Sequence, residues 1–261
     1  MEGNTIYSFQ RIEKKYMLNQ RQYDELIKKM EPYMQQDQYG LHTICNLYYD
    51  TEHYDLISHS IEKPVYKEKM RLRSYGVPGK EDRVFLEIKK KYAGTVYKRR
   101  IGLKLQEAYR CLDEGRCSGG GQINREIDYF IHFYHPVPKQ YIAYDRIALF
   151  GKEDSEIRIT FDRNIRSRSC DLALEEGDYG EQILPAGNYL MEIKVPAAMP
   201  LWLVHFLEEL KIYPCSFSKY GEVYKNIVEH RNNSDRSVYC TDLMKKGAIQ
   251  PAGEQLLAGH V

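Results

Sequence analysis

The sequence feature that most restricts the fold of this chain is a two-residue alternation of charged and apolar side chains. It recurs in about eight segments, at 7–16, 42–50, 65–75, 83–91, 96–103, 139–149, 156–163 and 188–195. Because a β-strand projects residues i, i+2 and i+4 to one face, each segment is predicted to be a strand with a polar and an apolar face. Glycine-containing turns at 76–79 and 94 predict an antiparallel three-stranded meander over residues 65–103.

The polar faces of these strands are strongly basic. Between residues 67 and 73 every odd position is Lys or Arg, whereas positions 70 and 72 are Met and Leu. Residues 63–100 contain thirteen basic and four acidic side chains, although the whole chain has 38 Lys and Arg against 37 Asp and Glu. A net charge of +1 excludes general attraction to nucleic acid or membranes, so the excess indicates a local anion site.

A single open sheet would expose six such charged faces to solvent, whereas a closed sheet encloses them. The sequence therefore predicts an α+β fold, an eight-stranded antiparallel β-barrel with flanking and capping helices. Helical periodicity indicates the flanking segments, which are 19–30, 106–113, 124–133, 201–210 and 220–228. We expect one catalytic domain over residues 1–230, followed by a polar, flexible tail over residues 231–261.

Other site classes find little support in the sequence. No apolar run approaches the roughly 18–20 residues that cross a bilayer, and the opening residues lack a signal peptide, so a cytoplasmic protein is expected. The six cysteines form no CxxC pair and are interpreted as reduced packing residues. The histidines show no metal-ligand spacing, and a GxxxxGKS/T loop for nucleotide binding is absent.

The residue types on the polar faces suit a chain of phosphates. Arginine binds phosphate oxygens in a bidentate manner and lysine adds compact charge. Glu13, Glu87 and Glu192 offer the hard oxygen ligands that Mg²⁺ or Mn²⁺ prefers. Simple ion pairing with neighbouring Lys and Arg is the alternative interpretation of these three carboxylates.

Short motifs follow one another in a fixed order along residues 6–228. They are Arg11-x-Glu13-x-Lys15-Tyr16, Leu47-Tyr-Tyr-Asp50, Lys69-x-Arg71-x-Arg73, Leu86-Glu87-x-Lys89, Tyr97-Lys98-x-Arg100, Tyr144-x-Arg146, Met191-Glu192-x-Lys194 and Ser218-Lys219-Tyr220. The ordered set resembles the VTC domain, the catalytic domain of the vacuolar transporter chaperone polyphosphate polymerase, in the triphosphate tunnel metalloenzyme superfamily. The resemblance implies a tunnel that binds a triphosphate with Mn²⁺ or Mg²⁺ and transfers the γ-phosphate of ATP to a growing polyphosphate chain.

The resemblance also implies roles for individual residues. Arg71, Arg73 and Arg146 would clamp phosphates, Lys219 would assist the leaving or attacking phosphate, and Glu192 would hold the metal. Lys15, Lys89 and Lys98 match further phosphate-binding positions. The charged rows add the following residues to the predicted phosphate site: Lys69, Arg100, Arg158, Lys194 and Ser218. Glu13 and Glu87 are the additional predicted metal ligands.

Two departures from the family pattern bear on activity. Arg11 stands where the hydrolase branch has a first glutamate, which favours the polymerase branch. Ser216 stands where eukaryotic members have a further lysine, three residues before Lys219. The phosphate-sensing and membrane segments of the eukaryotic complex have no counterpart in this sequence, so translocation of the product is not expected of this chain itself, and a membrane partner protein is left open.

Several functions remain open at this point. A metal-dependent tripolyphosphate or nucleoside-triphosphate hydrolase would use the same fold with water as the acceptor. A non-catalytic module that binds polyphosphate or inositol phosphates would need only the basic lining. A single-stranded nucleic-acid binder is least favoured, because the tyrosines fall largely off the charged faces and stacking platforms need exposed aromatic rings. The expected partners are thus ATP and polyphosphate, with no nucleic acid; the oligomeric state is left open.

Overall fold

A computed structural model of the protein describes residues 12–233, which contain eleven strands and six helices. The strands are β1 (Ile12–Leu18), β2 (Met34–Gln36), β3 (His42–Asp50), β4 (Tyr66–Tyr75), β5 (Arg83–Tyr92), β6 (Thr95–Lys104), β7 (Val137–Gly151), β8 (Arg158–Arg168), β9 (Glu181–Gln182), β10 (Tyr189–Val195) and β11 (Pro214–Cys215). The helices are α1 (Gln20–Met30), α2 (Asp55–Ile61), α3 (Leu105–Glu114), α4 (Gln122–Tyr134), α5 (Leu201–Glu209) and α6 (Lys219–Asn233).

Each of the eight predicted strand segments overlaps one of the long strands, and β4, β5 and β6 form the predicted meander. Ala93 and Gly94 both have positive φ and form a two-residue turn between β5 and β6, which fits the twist of an antiparallel hairpin. The predicted residues 7–11 of the first strand and residues 234–261 of the tail lie outside the described residues. The predicted domain boundary after residue 230 stays a prediction.

The strands form one antiparallel sheet in the order β11-β1-β10-β8-β7-β3-β4-β5-β6, with β2 beside β7 and β9 beside β8. In the described residues β6 and β11 do not pair, so the sheet is not closed, and the expected eight-stranded barrel is corrected to an open sheet of eleven strands. The free edge of β6 explains this difference, because every residue of β6 is exposed or only half-buried, and consecutive Lys98, Arg99 and Arg100 disfavour further pairing.

The sheet is nevertheless strongly curved. Lys15 Nζ on β1 donates to the carbonyl oxygen of Phe217 at 2.8 Å, and Lys69 Nζ on β4 lies 3.5 Å from Ser218 Oγ. Strands β1 and β4 are five pairings apart, which in a flat sheet would separate them by about 24 Å. Two adjacent residues can contact both strands only because the sheet wraps around the segment that leads into α6.

The convex side of the sheet carries the hydrophobic core, in two clusters. One packs outward-facing Met70, Leu72 and Leu86 against α3 and α4, where Phe130 is fully buried. The second packs residues of β1, β8 and β10 against α1 and α5, with Leu26 at its centre. The alternation along β4 is thus confirmed: even positions enter the core and odd positions face the concave side. We call this concave side the polar face; its charged residues include Glu13, Lys15, Lys67, Lys69, Arg71, Arg73, Glu87, Lys89, Lys91, Lys98, Arg100, Arg146, Arg158, Asp162, Glu192 and Lys194.

Local sequence features set the helices around this core. Asn19 begins α1 with a reciprocal capping box, in which its side chain accepts from the Gln22 backbone and the Gln22 side chain accepts from the Asn19 backbone. Helix α2 was not predicted, because seven residues are too few to show helical periodicity.

The cysteine prediction was wrong at one pair, since Cys111 and Cys117 form a disulfide at the end of α3. No helix among residues 12–233 is both long and apolar enough to span a membrane.

Candidate anion-binding site

Glu87 occupies the centre of the polar face between four cationic side chains. Its carboxylate is 2.7 Å from Arg71 Nη2 and 2.8 Å from Lys98 Nζ, with Arg73 Nε and Arg100 Nη1 3.9 and 3.8 Å away. Strand register explains this grouping, because Arg71, Glu87 and Arg100 lie directly opposite one another on β4, β5 and β6. Burial alone would raise the pKa of Glu87, but these cations lower it to about 2. The carboxylate is therefore ionised and fixes the direction of the guanidinium groups.

Arg73 is held by uncharged partners on β3 and β7. Its Nε donates to Asn46 Oδ1 at 2.9 Å, and its Nη2 donates to the hydroxyl oxygen of Tyr144 at 3.2 Å. Burial would raise the pKa of Tyr144, but Arg73, Arg146 and Lys219 lower it to about 8. Neither Asn46 nor Tyr144 was predicted as a site residue. The sequence signal that could have indicated them is their position in the two-residue alternation of β3 and β7.

Asp162 forms a second ionic centre, which the sequence did not single out. Its carboxylate accepts two hydrogen bonds from Arg146, at 2.6 and 2.8 Å, and one from Lys219 Nζ at 2.6 Å. The side chain is buried, and Arg146 lies directly opposite it in the pairing of β7 with β8. Burial would raise the pKa of Asp162, but Lys219 and Arg146 hold it far below its usual range. The parity of Asp162 with Arg158 on β8 was the one sign of its place on this face.

A third group of charges lies where β1 pairs with β10. Lys15 is opposite Glu192, and Glu13 is opposite Lys194. Glu192 Oε1 is 2.7 Å from Lys194 Nζ, and Glu13 lies 3.9 Å from the same nitrogen. Burial would raise the pKa of Glu192, but Lys194, Lys15 and Lys219 lower it to about 2. These contacts link β1 to β10, and Lys15 also reaches the segment that leads into α6 through the carbonyl oxygen of Phe217.

Lys69 and Lys89 have no carboxylate partner in the part of the chain that the structure describes. They lie directly opposite each other on β4 and β5, and no carboxylate of the described residues is within ion-pair distance of either. The pKa of Lys69 is lowered to about 8 by burial and by the neighbouring Lys67, Lys89 and Lys15. Two adjacent ammonium groups without a counter-charge mark a place where an external anion would be stabilised.

The remaining predicted residues lie at the edge of the polar face. Arg158 begins β8 opposite Lys194 and is exposed. Ser218 directly precedes α6 and accepts a hydrogen bond from the backbone N–H of Gly221 at 3.2 Å. The predicted basic residues of the strands therefore all lie on the polar face, and Lys219 lies at the start of α6, across from it. Together these basic residues number eleven, against the four carboxylates Glu13, Glu87, Asp162 and Glu192.

Three tyrosines lie beside the charged residues of the polar face. Tyr48 accepts a hydrogen bond from Arg71 at 3.3 Å and stacks on Tyr220, whose hydroxyl donates to Asp50. Tyr144 lies beneath Lys219 Nζ, which is 4.2 Å from the ring centroid. All three rings are buried, so none offers an open stacking platform for a nucleic-acid base.

The three predicted metal ligands are not brought together. Among residues 12–233 no group of three or more His, Cys, Asp or Glu side chains could hold a metal ion. Glu87 lies on β5, and both of its oxygens take part in ion pairs. Mg²⁺ in phosphate sites is often bound by one or two carboxylates, with phosphate oxygens and water completing its shell. The chain fits that simpler pattern through Glu192, with Glu13 diagonally across the strand pair.

The chain is similar to known proteins both in sequence and in fold. The family described as the VTC domain matches residues 10–228 of the chain. A search of curated proteins found no match. The fold is similar to a candidate adenylate cyclase from Bacillus halodurans, with 14% identity over 80% of this chain and 93% of that chain and a TM-score of 0.51.

It is also similar to the candidate adenylyl cyclase HpAC1 from Hippeastrum, which is described as having a dominant triphosphatase activity. That likeness has 16% identity over 83% of this chain and 96% of that chain, with a TM-score of 0.51. At such identities these two structures show a shared fold alone.

Proposed function

Because the chain belongs to the VTC domain family, we propose that it is an ATP-dependent polyphosphate polymerase. The enzyme would transfer the γ-phosphate of ATP onto a growing polyphosphate chain and release ADP. Its substrates would be ATP and polyphosphate, and its metal would be Mn²⁺ or Mg²⁺. The protein would be located in the cytoplasm, and a membrane partner protein would carry the product away.

The observation that supports this proposal most strongly is the excess of positive charge on the polar face, where Arg73 is buried and Lys69 and Arg71 are half-buried. Buried cations are unfavourable unless anions pair with them. Glu87 and Asp162 compensate only part of this charge, and Lys69 and Lys89 have no carboxylate partner among the described residues. A chain of phosphates supplies several negative charges in one row and thus matches a row of cations.

Phosphoryl transfer requires mainly positioning and charge stabilisation from the protein. We assign Arg71, Arg73 and Arg146 to the phosphate oxygens of the donor, and Lys219 to the oxygen between donor and acceptor. Glu87 and Asp162 act as positioning residues, because they hold the guanidinium and ammonium groups through bonds of 2.6–2.8 Å. A divalent metal held by Glu192 and the phosphates would neutralise further negative charge.

The protonation states on the polar face favour a phosphate acceptor over water. A general base needs a pKa near the working pH. The pKa values of Glu87 and Glu192 are about 2, and that of Asp162 is also strongly lowered, so these carboxylates are poor bases. A terminal phosphate of polyphosphate is already anionic and needs no base to attack.

A triphosphate hydrolase is the second candidate, and one observation favours it. Tyr144 has a pKa of about 8, so its side chain is ionised in a fraction of the molecules and could take a proton from water. Its hydroxyl oxygen already accepts a hydrogen bond from Arg73, and the ring is buried beneath Lys219. This arrangement leaves little room for water at that oxygen, and we therefore prefer the polymerase.

The proposal is tested by incubating the purified protein with ATP and Mn²⁺, with and without a short polyphosphate primer. Products are resolved on a gel stained for polyphosphate, and free phosphate is assayed in parallel. We expect a metal-dependent polymer ladder that is lost in Glu192→Ala and retained in Glu208→Ala, which removes an exposed carboxylate on α5. Free phosphate without polymer would favour the hydrolase, and neither product would leave a binding module.

Affinity for the triphosphate is expected to decrease above about pH 8. The pKa of Lys69 is about 8, so its ammonium loses charge as the pH rises, and Tyr144 gains a negative charge over the same range. Each group alone would weaken anion binding by up to about tenfold per pH unit above its pKa. Calorimetric titration with inorganic tripolyphosphate at several pH values measures this decrease.

Lys69→Arg is the matched variant, because a guanidinium keeps its charge throughout this range. The ratio of affinities between wild type and Lys69→Arg cancels the titration of tripolyphosphate itself. We expect this ratio to fall between about pH 7 and pH 9, and a constant ratio would contradict the assignment of Lys69 to the phosphate site.

A further inference from the structure

Lysines at one end of the polar face stand opposite other lysines. Lys67 on β4 is directly opposite Lys91 on β5, one step beyond the opposed pair of Lys69 and Lys89. Among the described residues neither Lys67 nor Lys91 has a carboxylate within ion-pair distance. Lys67 Nζ donates one hydrogen bond, to the carbonyl oxygen of Ser60 at 3.0 Å, which leaves two of its three N–H donors unused.

Without a bound anion these opposed lysines are unfavourable, because like charges directly opposite each other destabilise a strand pair. Burial and the neighbouring Lys91 and Lys63 lower the pKa of Lys67, which reflects this repulsion. The outer face of the same strands is different: there Lys90 lies 3.7 Å from Glu68 and 3.5 Å from Glu126. Carboxylates accompany the lysine on the outer face, whereas on the polar face no carboxylate of residues 12–233 is within ion-pair distance of the half-buried Lys67 or the exposed Lys91.

The opposite end of the row is compensated. Arg71 and Arg73 share Glu87, whereas Lys69 and Lys67 have no carboxylate of the described residues within ion-pair distance. The row from Arg73 to Lys67 covers six residue steps of one strand, or about 20 Å, which is longer than a triphosphate. A single donor triphosphate on the arginines would leave the outer lysines without an anion.

We propose that Lys67 and Lys91 form a subsite for a long polyphosphate chain, at the end of the polar face away from the arginines. The subsite would hold phosphates of the polymer several units from the one that reacts. This inference rests on the proposed function, because it takes polyphosphate to be the ligand, and it adds two residues that the proposed phosphate site does not include.

The test is equilibrium binding of inorganic tripolyphosphate and of long-chain polyphosphate to the full chain, followed by calorimetry. The double variant Lys67→Ala/Lys91→Ala is compared with Lys28→Ala/Lys80→Ala, which removes two exposed lysines away from the polar face. We expect wild type to bind the long chain more tightly than tripolyphosphate. The Lys67/Lys91 variant should lose about tenfold in affinity for the long chain and keep its affinity for tripolyphosphate, whereas the control should change neither.

Equal affinity of wild type for the two ligands would overturn the subsite, as would long-chain binding that is unaffected in the Lys67/Lys91 variant. Binding of a single-stranded oligonucleotide that is as tight as polyphosphate, with the same dependence on Lys67 and Lys91, would also overturn it. Length-dependent binding that requires these lysines, in a protein that makes no polymer from ATP, would support the subsite and reject the proposed polymerase.

Discussion

Replacement of Lys219 by alanine is expected to lower kcat for phosphoryl transfer by about 100- to 1000-fold, the usual cost of removing one preorganised charge from a reacting group. Lys219 Nζ converges with Arg146 on Asp162 and lies above Tyr144, at the point where β7, β8 and the start of α6 meet. The variant should stay folded, because Asp162 keeps both hydrogen bonds from Arg146. Steady-state release of ADP measures kcat, and thermal unfolding checks the fold.

Lys225→Ala provides the control for this loss. Lys225 lies further along α6 and pairs with Glu222 at 2.8 Å on the exposed side of the helix. Its removal should leave kcat unchanged and alter stability only slightly, as for most surface ion pairs. A value of kcat for Lys219→Ala within about threefold of wild type would contradict the assigned role of Lys219.

Asp162→Asn is expected to lower the free energy of unfolding by about 3–5 kcal/mol, the usual effect of removing one partner from a buried ion pair. The substitution leaves Arg146 and Lys219, which are largely buried, with no carboxylate of the described residues within ion-pair distance, since Asp162 is the carboxylate that both contact. Urea unfolding of the two proteins measures the difference.

Added tripolyphosphate should recover more stability in Asp162→Asn than in wild type. The ligand binds only the folded protein and brings the negative charge that the substitution removed. Glu81→Gln is the matched control, because Glu81 pairs with Lys104 on the exposed surface, and its loss should cost less than about 1 kcal/mol. Equal stabilisation of wild type and Asp162→Asn by tripolyphosphate would contradict a shared anion site at Arg146 and Lys219.

The faces of the strands were predictable from the sequence because side chains alternate between the two faces with a period of two residues in any strand. Along β4 this rule placed Met70 and Leu72 in the core and Arg71 and Arg73 on the concave side. The order of the short motifs carried the family resemblance, which the match over residues 10–228 confirms.

The contacts across strands could not be predicted in the same way. Asp162 meets Arg146 because of the register between β7 and β8, and a register shift near Ala143 and Asp145 changes that pairing along the strands. Alternation within one strand contains no information about register. For the same reason the sequence could not show whether Glu87 faces a metal or its neighbouring cations.

Closure of the sheet was predicted wrongly for a related reason. A polar face that must be enclosed favours a barrel, but curvature and a crossing segment can also enclose it. Here Phe217 and Ser218 reach both β1 and β4, while the edge of β6 stays unpaired in the described residues. Hydrogen bonding at an edge depends on neighbours that are distant in sequence, and such neighbours leave no mark on the alternation.

The fate of the γ-phosphate of ATP is the most direct test of the proposed activity. Phosphorus NMR of one reaction with ATP and Mn²⁺ follows ATP, ADP, orthophosphate and the interior phosphates of polyphosphate together. A polymerase predicts interior polyphosphate signal that grows in step with ADP, with little orthophosphate. Orthophosphate equal to ADP, with no interior signal, would contradict the polymerase and assign the polar face to triphosphate hydrolysis.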